Sequence, residues 1–425
     1  MRVSALFLLV SVACVAETKT LTLRQALDLA LEQNADLVIT RLDQQKARDQ
    51  VIIAKDPFSL HVYAGSGMAY TYGVPTSIDG NAPSIVQAKS VMSLYDRPQT
   101  YQVAAAKEAA RGASFDVTSK QEEVVYRVTS LYLDAEHSAK SLAAAQQEAT
   151  NLTRIRDLTE ARVQEGREIQ HESRKALNQV RHAEDSILAL EDSAAVTERT
   201  LAMVLGMNPG DRVHPAEEQR PALASTLSPE QAIAAALDRS PEIKRLESSM
   251  QVKTLEMKGY KAQWQPKIDL VAQYSLLDTF NNYKKYYTNF QLNNVELGAS
   301  FSIPVIHGRA GAAYISQAQA EITKLQKQVT STRSRITADL QQAFDTVKRS
   351  DSKRDLARDD LEVAREQTSI DLALLDEGRT TQAAIEKDRA DEQSMWIAYY
   401  DTQLQSERAR LDVMRLSGTL MEALK

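Results

Sequence analysis

Residues 21–37 read LTLRQALDLALEQNADL, and residues 227–243 read LSPEQAIAAALDRSPEI, so a similar pattern returns after 206 residues. Thr22 and Ser228 stand where a hydroxyl can cap the first turn of a helix, and Pro229 suits the first helical position. Apolar residues then recur at helical spacing in both stretches. Each stretch therefore predicts the start of a helix, and the pair indicates an internal repeat.

Glycines mark the same repeat further along the chain. Gly166 pairs with Gly378, and Gly206 pairs with Gly418, each at an offset of 212. An offset that rises from 206 to 212 and then stays constant is typical of an old duplication with small loop insertions. We therefore expect two copies of one structural unit.

The expected domain organisation follows from these boundaries. Residues 1–16 have a basic start, a short apolar core and small residues at the end, which is typical of a secretory signal peptide too short to span a bilayer. An alternative is that Cys14, the single cysteine, becomes a lipidated N-terminus. The first repeat is then 17–206, a polar, proline-containing linker is 207–226, and the second repeat is 227–425.

Composition favours a helical protein that does not bind nucleic acid. Only 14 glycines and 11 prolines occur in 425 residues, so few turns are specified. Alanine, glutamine, glutamate, lysine, arginine and leucine fill most of the chain, and these are good helix formers. The net charge of −6 comes from interleaved signs, with no basic patch of the kind that binds nucleic acid.

Runs without glycine or proline predict very long helices. Residues 312–377 form one run of 66 residues, about 100 Å of helix at 1.5 Å per residue. A second run, residues 379–417, follows Gly378, and the first copy is built in the same way. We expect helical hairpins over 99–205 and 310–417. Their apolar residues form a narrow stripe suited to coiled-coil packing, with Ile322, Leu325, Val329, Ile336 and Leu340 as an example.

Between the opening helix and the hairpin, each copy alternates apolar and polar residues with period two, which predicts strands. The predicted strands are about 59–72, 84–94, 267–277 and 294–303. A tilted strand of about ten residues crosses a bilayer. Four such strands cannot close a barrel, and an open sheet edge in lipid leaves costly unpaired backbone groups. Two copies of the chain would supply too few strands for a channel, whereas a homotrimer would supply twelve.

The chain resembles the TolC family of outer-membrane efflux proteins. The resemblance rests on the duplicated opening helices, on QWQPKIDL (263–270), on FSIPVIHGRAGAAYISQAQAEI (301–322) and on LAMVLGMNP (201–209). It covers nearly all of the predicted mature chain. It implies a mainly α fold with a small transmembrane β part: a homotrimer whose twelve-stranded barrel, four strands per subunit, continues into a long α-helical coiled-coil tunnel.

The same resemblance implies a place and a set of partners. The barrel would contact outer-membrane lipid of a Gram-negative bacterium, and the tunnel would project into the periplasm. Passive transport would be gated at the helix tips by a periplasmic adaptor (membrane fusion) protein and an inner-membrane pump, in a tripartite efflux or type I secretion system. No cofactor is implied.

The two hairpin turns are the candidate site. Gly166 and Gly378 fall at the turns, which the resemblance puts at the periplasmic tunnel entrance, and a tight helix reversal favours glycine. Arg167, Arg379 and Thr380 follow them. The arginines are either simple helix caps or a ring that binds carboxylates of the adaptor.

A second feature near this turn is acidic. Several family members carry acidic entrance rings six and nine residues after the second-copy glycine, and those positions here are Ala384 and Lys387. Glu386 and Asp388 flank Lys387. The possible entrance ring is therefore displaced by one residue.

Two rival functions receive less support. An enzyme or metal site is disfavoured because no HExxH, GxSxG or phosphate-binding loop occurs, and the histidines are scattered. His171 and Glu172, near the first tip, could be a metal pair, but an exposed polar helix start is the favoured interpretation. The histidines are His61, His137, His171, His182, His214 and His307. A soluble periplasmic coiled-coil adaptor or scaffold would explain the helices and the export signal. It would not explain four membrane-length strands.

Overall fold

A computed structural model describes residues 18–67, 84–216, 228–277, 293–305 and 310–424. Helices dominate these residues. In chain order they are α1 (Leu23–Gln33), α2 (Ala35–Lys55), α3 (Arg97–Gln164), α4 (Gln170–Val204), α5 (Pro229–Arg239), α6 (Pro241–Lys261), α7 (Ala310–Asp376), α8 (Gln382–Ser417) and α9 (Leu420–Ala423). Short 3-10 helices occupy Asp56–Phe58 and Ala262–Trp264.

Helices α1 and α5 begin in the predicted way. The Thr22 hydroxyl accepts a hydrogen bond from the backbone N–H of Gln25 at 3.3 Å, and the Gln25 side chain accepts from the Thr22 N–H at 3.1 Å. Ser228 and Gln231 form the same reciprocal pair at 3.3 and 3.1 Å. Both are capping boxes, so the caps predicted at Thr22 and Ser228 are confirmed.

Four strands form one antiparallel sheet. They are β2 (His61–Gly67), β3 (Ser84–Tyr95), β5 (Lys267–Leu277) and β6 (Asn293–Ser302), in the order β2-β3-β5-β6. The strand predicted at 59–72 begins at His61, because a 3-10 turn containing Pro57 precedes it, and residues 68–72 lie outside the described part. Residues 278–292, between β5 and β6, also lie outside it.

The register of this sheet separates two faces. Lys89, Gln273 and Glu296 are cross-strand neighbours on one face, and Asp269 aligns there with Ser93 and Ser300. The other face is largely apolar. It carries Met92, Leu270, Ala272, Leu297, Ala299 and Phe301. The sheet is therefore amphipathic, as the period-two pattern predicts.

A smaller parallel sheet joins the start of the described chain to the predicted linker. β1 (Thr18–Leu21) pairs with β4 (Arg212–Pro215), and Val213 is fully buried. The region 207–226 is therefore not only a connection, because it includes a strand. Sequence analysis missed both strands, since each has four residues and the partner lies about 190 positions away.

Close packing explains why α3 continues through a glycine. A Cβ at Gly112 would lie 3.1 Å from the Ser248 hydroxyl of α6, and that hydroxyl donates to the Glu108 carbonyl at 2.8 Å. The two helices approach closely here because position 112 lacks a side chain. This contact offsets the low helix propensity of glycine, so α3 runs through Gly112 and begins at Arg97, close to the predicted start at 99.

The chain separates into two compact units. One comprises residues 1–39, 118–240 and 333–425, and the other comprises 40–117 and 241–332. The second unit contains the four-stranded sheet, and the first contains both hairpin turns. In the described parts of the chain, no helix has the length and apolar character needed to cross a membrane.

Candidate functional site at the hairpin tips

Both hairpin turns have the same hydrogen-bonding geometry. After α3, Gly166 donates to the Val163 carbonyl at 3.0 Å and Arg167 donates to the Arg162 carbonyl at 2.9 Å. Gly166 has φ 74°, a left-handed conformation that favours glycine. This pair of bonds is a Schellman motif, which satisfies the last carbonyls of the helix.

The second tip repeats this motif. Gly378 donates to the Leu375 carbonyl and Arg379 to the Leu374 carbonyl, both at 2.8 Å, and Gly378 has φ 70°. A Cβ on either tip glycine would meet nothing within 4 Å, so the backbone conformation alone requires glycine. The prediction that glycine is needed at these turns is confirmed.

The tip arginines are exposed and lie beside acidic neighbours. Arg167 is 75% exposed and contacts Glu165 at 3.1 Å, while Arg379 is 69% exposed and contacts Glu377 at 3.2 Å. Such exposed pairs stabilise a fold by less than about 1 kcal/mol. Both guanidinium groups therefore remain accessible to a partner that carries carboxylates.

The residue that caps α8 is Thr381, which follows the predicted tip residue Thr380. Its hydroxyl accepts from the Ala384 backbone N–H at 3.3 Å. Thr380 is half-buried in the turn. At the first tip the cap position is Ile169, whose side chain makes no capping bond. The two tips thus share their glycine geometry and differ in how the following helix starts.

The predicted entrance residues do not all face one side. Glu386 is 2% exposed and pairs with Arg389 at 3.0 Å, Lys387 is exposed, and Asp388 is half-buried. Consecutive helical residues point about 100° apart, because a helix has 3.6 residues per turn. Glu386, Lys387 and Asp388 therefore do not form one surface.

Asp388 faces a second carboxyl group across the hairpin. Burial, a side-chain hydrogen bond with Asp371 of α7 and the negative charges of Asp371 and Asp391 raise the pKa of Asp388 to about 6. Lys387 partly opposes this effect. Two adjacent carboxyl groups favour sharing one proton, since their ionised forms repel.

Polar pairs also connect α3 with α8. Tyr126 donates to Asp412 at 2.8 Å, and the Arg415 guanidinium lies 4.3 Å from the centre of the Tyr126 ring. Burial, followed by the bond to Asp412, raises the pKa of Tyr126. Two further pairs, nearer the tip, are Asp134 with Arg408 and His137 with Asp401.

A cavity of about 770 Å³ lies beyond these pairs, toward the tip. α3, α4 and α8 line it, and Glu148 and Leu152 of α3 and Asp391 of α8 are among its residues. Burial, followed by the charge of Asp391, raises the pKa of Glu148. Across the described residues, no group of three or more histidine, cysteine or acidic side chains is arranged to hold a metal ion.

A family model described as outer membrane efflux protein matches residues 26–207 and 232–419. The chain belongs to the outer membrane efflux protein family. Its family places this chain in the outer membrane as an efflux channel protein, which confirms the resemblance inferred from the sequence. No curated protein matches the chain in sequence.

Solved structures of channels share this fold. A membrane protein from Pseudomonas aeruginosa is similar with a TM-score of 0.76 at 18% identity, over 93% of this chain and 92% of that one. The CmeC outer membrane channel of Campylobacter jejuni is similar with a TM-score of 0.74 at 13% identity, over 93% of this chain and 85% of that one. The open-state MtrE outer membrane channel of Neisseria gonorrhoeae is similar with a TM-score of 0.70 at 15% identity, over 94% of this chain and 89% of that one.

Sequence reasoning missed Glu148 and Asp391, which line the cavity, and Asp371, which hydrogen-bonds with Asp388. Glu148, Asp371 and Asp391 lie on three helices and look like ordinary surface charges in the sequence. Their proximity depends on the register between helices that are far apart in the chain. Only Asp388 of this group was identified beforehand, as a member of the entrance ring.

Proposed function

We propose that this member of the outer membrane efflux protein family is the passive exit duct of a tripartite efflux or type I secretion system. In this role it works as a homotrimer, without catalysis or a cofactor. The amphipathic four-stranded sheet, joined in one chain to two very long helical hairpins, is the observation that carries the proposal.

The apolar face of the sheet supports contact with lipid. Val62, Val295, Leu297 and Phe301 are each between 62% and 77% exposed. A water-facing sheet would not carry so much exposed apolar surface on one face. The opposite, largely polar face would then line the interior of a barrel.

The edges of the sheet support a closed assembly. β2 and β6 are the outer strands, and each has a neighbour on one side within the described sheet. In lipid an open edge is costly, so β6 of one copy would pair with β2 of the next. Three copies give twelve strands, which leave an interior wide enough for a channel.

An apolar stripe on α7 supports the same assembly. Leu356, Val363 and Ile370 recur every seven residues and are 63%, 66% and 54% exposed in the single chain. Seven-residue spacing is typical of a coiled-coil seam. The stripe would be covered by a helix of a neighbouring copy in the tunnel.

The exposed tip arginines support docking of a periplasmic adaptor. A ring of Arg167 and Arg379 from three copies would present six guanidinium groups, which bind carboxylates in a bidentate geometry. We propose that adaptor carboxylates replace Glu165 and Glu377 as partners. Binding would favour an open state of the inner helices through contacts made only in that state.

Fractionation and export assays test this function. We expect the mature protein in the outer membrane as a trimer that salt does not extract. Recovery as a soluble periplasmic protein would instead support an adaptor or scaffold.

Arg379→Glu should abolish export while trimers still assemble, because the tip then repels a carboxylate. Arg358→Glu is the matched control, since Arg358 is also an exposed arginine of this hairpin but lies away from the tip. Full export by Arg379→Glu, or equal loss in both variants, would contradict a docking role for the tip.

A further inference from the structure

One cross-strand row on the polar face of the four-stranded sheet carries two unlike charges. Tyr63 of β2 pairs with Lys89 of β3. Gln273 of β5 pairs with Lys89 on one side and with Glu296 of β6 on the other. Directly opposite residues on adjacent strands point to the same side of a sheet. All four side chains therefore lie on the face that the proposed barrel turns toward its interior.

Lys89 and Glu296 carry their charges separately. Both side chains are exposed, and the side-chain amide of Asn294 donates to Glu296 at 3.1 Å. Neighbouring strands lie about 4.8 Å apart, so the backbones at Lys89 and Glu296, two strands apart, are separated by about 10 Å. Within the described part of the chain, neither side chain has an ion-pair partner.

The other charged or imidazole side chains of the described strands have close partners. Lys267 lies 3.3 Å from Asp269, and the Ser93 hydroxyl donates to Asp269 at 2.6 Å. His61 contacts Asp56 at 2.9 Å. These contacts occur near the end of the sheet where the helices begin. Lys89 and Glu296 are thus the two charges of this row that a passing solute would meet without a compensating partner.

Closure of a barrel would turn this row into two rings of charge. Barrel strands tilt by about 35–45° from the axis. A row perpendicular to the strands therefore runs obliquely, which separates Lys89 from Glu296 by about 6 Å along the axis. Three copies put three lysines at one depth and three glutamates at another. A solute that crosses the barrel passes one positive and one negative ring.

Resting on the proposed channel function, we propose that the Lys89 and Glu296 rings determine how the barrel discriminates between charged solutes. The rings carry equal and opposite charge, and their separation in depth is shorter than the Debye length of about 8 Å in physiological salt. Their fields on a passing ion therefore offset one another. The intact barrel admits cationic and anionic solutes alike, and loss of either ring makes it selective.

A thiol placed between the two charges measures this field. Gln273→Cys puts a single reactive thiol in the row, because Cys14 would be removed with a signal peptide or blocked by a lipid. Cationic and anionic methanethiosulfonate reagents should modify it in intact trimers at similar rates, each divided by the rate for a free thiol. At about 10 mM salt, Lys89→Gln should favour the cationic reagent by about threefold, and Glu296→Gln should favour the anionic reagent equally.

Lys107→Gln is the matched control for the loss of a lysine. Lys107 is an exposed residue of α3 and lies outside the sheet, so its removal should leave the ratio of the two rates unchanged. A ratio that responds to neither Lys89→Gln nor Glu296→Gln would overturn the inference. An equal change in Lys107→Gln would overturn it as well, because the effect would then not be local.

Reversal potentials in planar bilayers extend the test to ions. Under a KCl gradient, Lys89→Glu should shift selectivity toward K⁺, and Glu296→Lys should shift it toward Cl⁻. The double variant exchanges the two rings and should return to the selectivity of the unmodified protein, because the charges balance again. A structural disturbance at either position would not be corrected by the second substitution. Unaltered selectivity in both single variants would contradict control by these rings.

A thiol on the opposite face separates this inference from the proposed function. Ala272 pairs with Leu297 on the apolar face, which lipid would cover in a barrel. If Ala272→Cys reacts in membranes as fast as Gln273→Cys, the channel function fails. If only Gln273→Cys reacts, and its rates ignore both charges, the channel function stands and the inference about the rings fails.

Discussion

At the residue scale, four glycines end helices in the same backbone conformation. Gly166, Gly206, Gly378 and Gly418 all have positive φ and donate to a carbonyl three residues back. The sequence pairs them at an offset of 212, and the structure shows that both members of each pair end a helix in the same way. They differ in their surroundings. A Cβ at either tip glycine, Gly166 or Gly378, would contact no atom within 4 Å, whereas Gly206 is tightly packed against Gln33.

Substitution of Gly206 should therefore cost more than substitution of a tip glycine. Gly206→Ala and Gly378→Ala both force an L-residue into the left-handed region, at about 1 kcal/mol. At position 206 the new Cβ would also lie 2.7 Å from the Gln33 carbonyl oxygen. Thermal unfolding of the two variants should show the larger loss for Gly206→Ala. Gly378→Asn, which tolerates this conformation, should lie close to the unmodified protein; equal losses at 206 and 378 would contradict the packing argument.

At the element scale, α7 and α8 are joined by a charged cluster away from the tip. Asp351 of α7 accepts hydrogen bonds from two residues of α8. Arg410 donates to each carboxylate oxygen at 3.0 Å, and Ser406 donates to one of them. Arg354 lies 3.4 Å away. Burial alone would raise the pKa of Asp351, but the bonds from Ser406 and Arg410 outweigh it, so the pKa is lowered.

The sign of this shift predicts how pH affects the hairpin. Because the folded pKa of Asp351 lies below its ordinary value of 3.8, the stabilisation is fully present above 3.8 and is lost as pH falls through the folded pKa. Asp351→Asn should lower the unfolding temperature at pH 7, and the difference should shrink in acid. Asp359→Asn, an exposed acid of the same helix, should change little at either pH. A difference for Asp351→Asn that is independent of pH would exclude the charge as its cause.

The apolar residues of α7 show how much of helix packing can be predicted from periodicity in the sequence. The packed stripe of α7 was expected to contain Ile322, Leu325, Val329, Ile336 and Leu340. Ile322, Ile336 and Leu340 are buried, whereas Leu325 and Val329 are half-buried. The stripe is predictable because its spacing is local. The exposed stripe at Leu356, Val363 and Ile370 has the same periodicity, and only the structure distinguishes the two, because burial depends on which helix lies opposite.

At the scale of the whole molecule, the two faces of the four-stranded sheet carry side chains of opposite polarity. Leu297 is 77% exposed on the apolar face, and Glu296 precedes it on the polar face. If three copies close a barrel, the first faces lipid and the second faces the interior.

Arginine at these neighbouring positions should therefore have unequal effects. Leu297→Arg puts a charge into lipid, at about 2–4 kcal/mol near the bilayer midplane, and should reduce outer-membrane trimers. Glu296→Arg introduces the same side chain on the interior face and should assemble normally. The amount of trimer in membrane fractions measures both, and equal assembly of the two variants would contradict the assignment of the faces.

Features that depend on neighbours within a few positions can be read from the amino-acid sequence: the capping boxes at Thr22 and Ser228, the period-two strands, and the long helices that end at glycine. The β1–β4 pairing, the burial of Glu386 and the position of Glu148 and Asp391 in the lining of one cavity emerge only in the folded chain. Helix and strand periods are set by local backbone geometry. Contacts between elements depend on how helices and strands that are far apart in the chain align with one another. No short stretch of sequence contains that alignment.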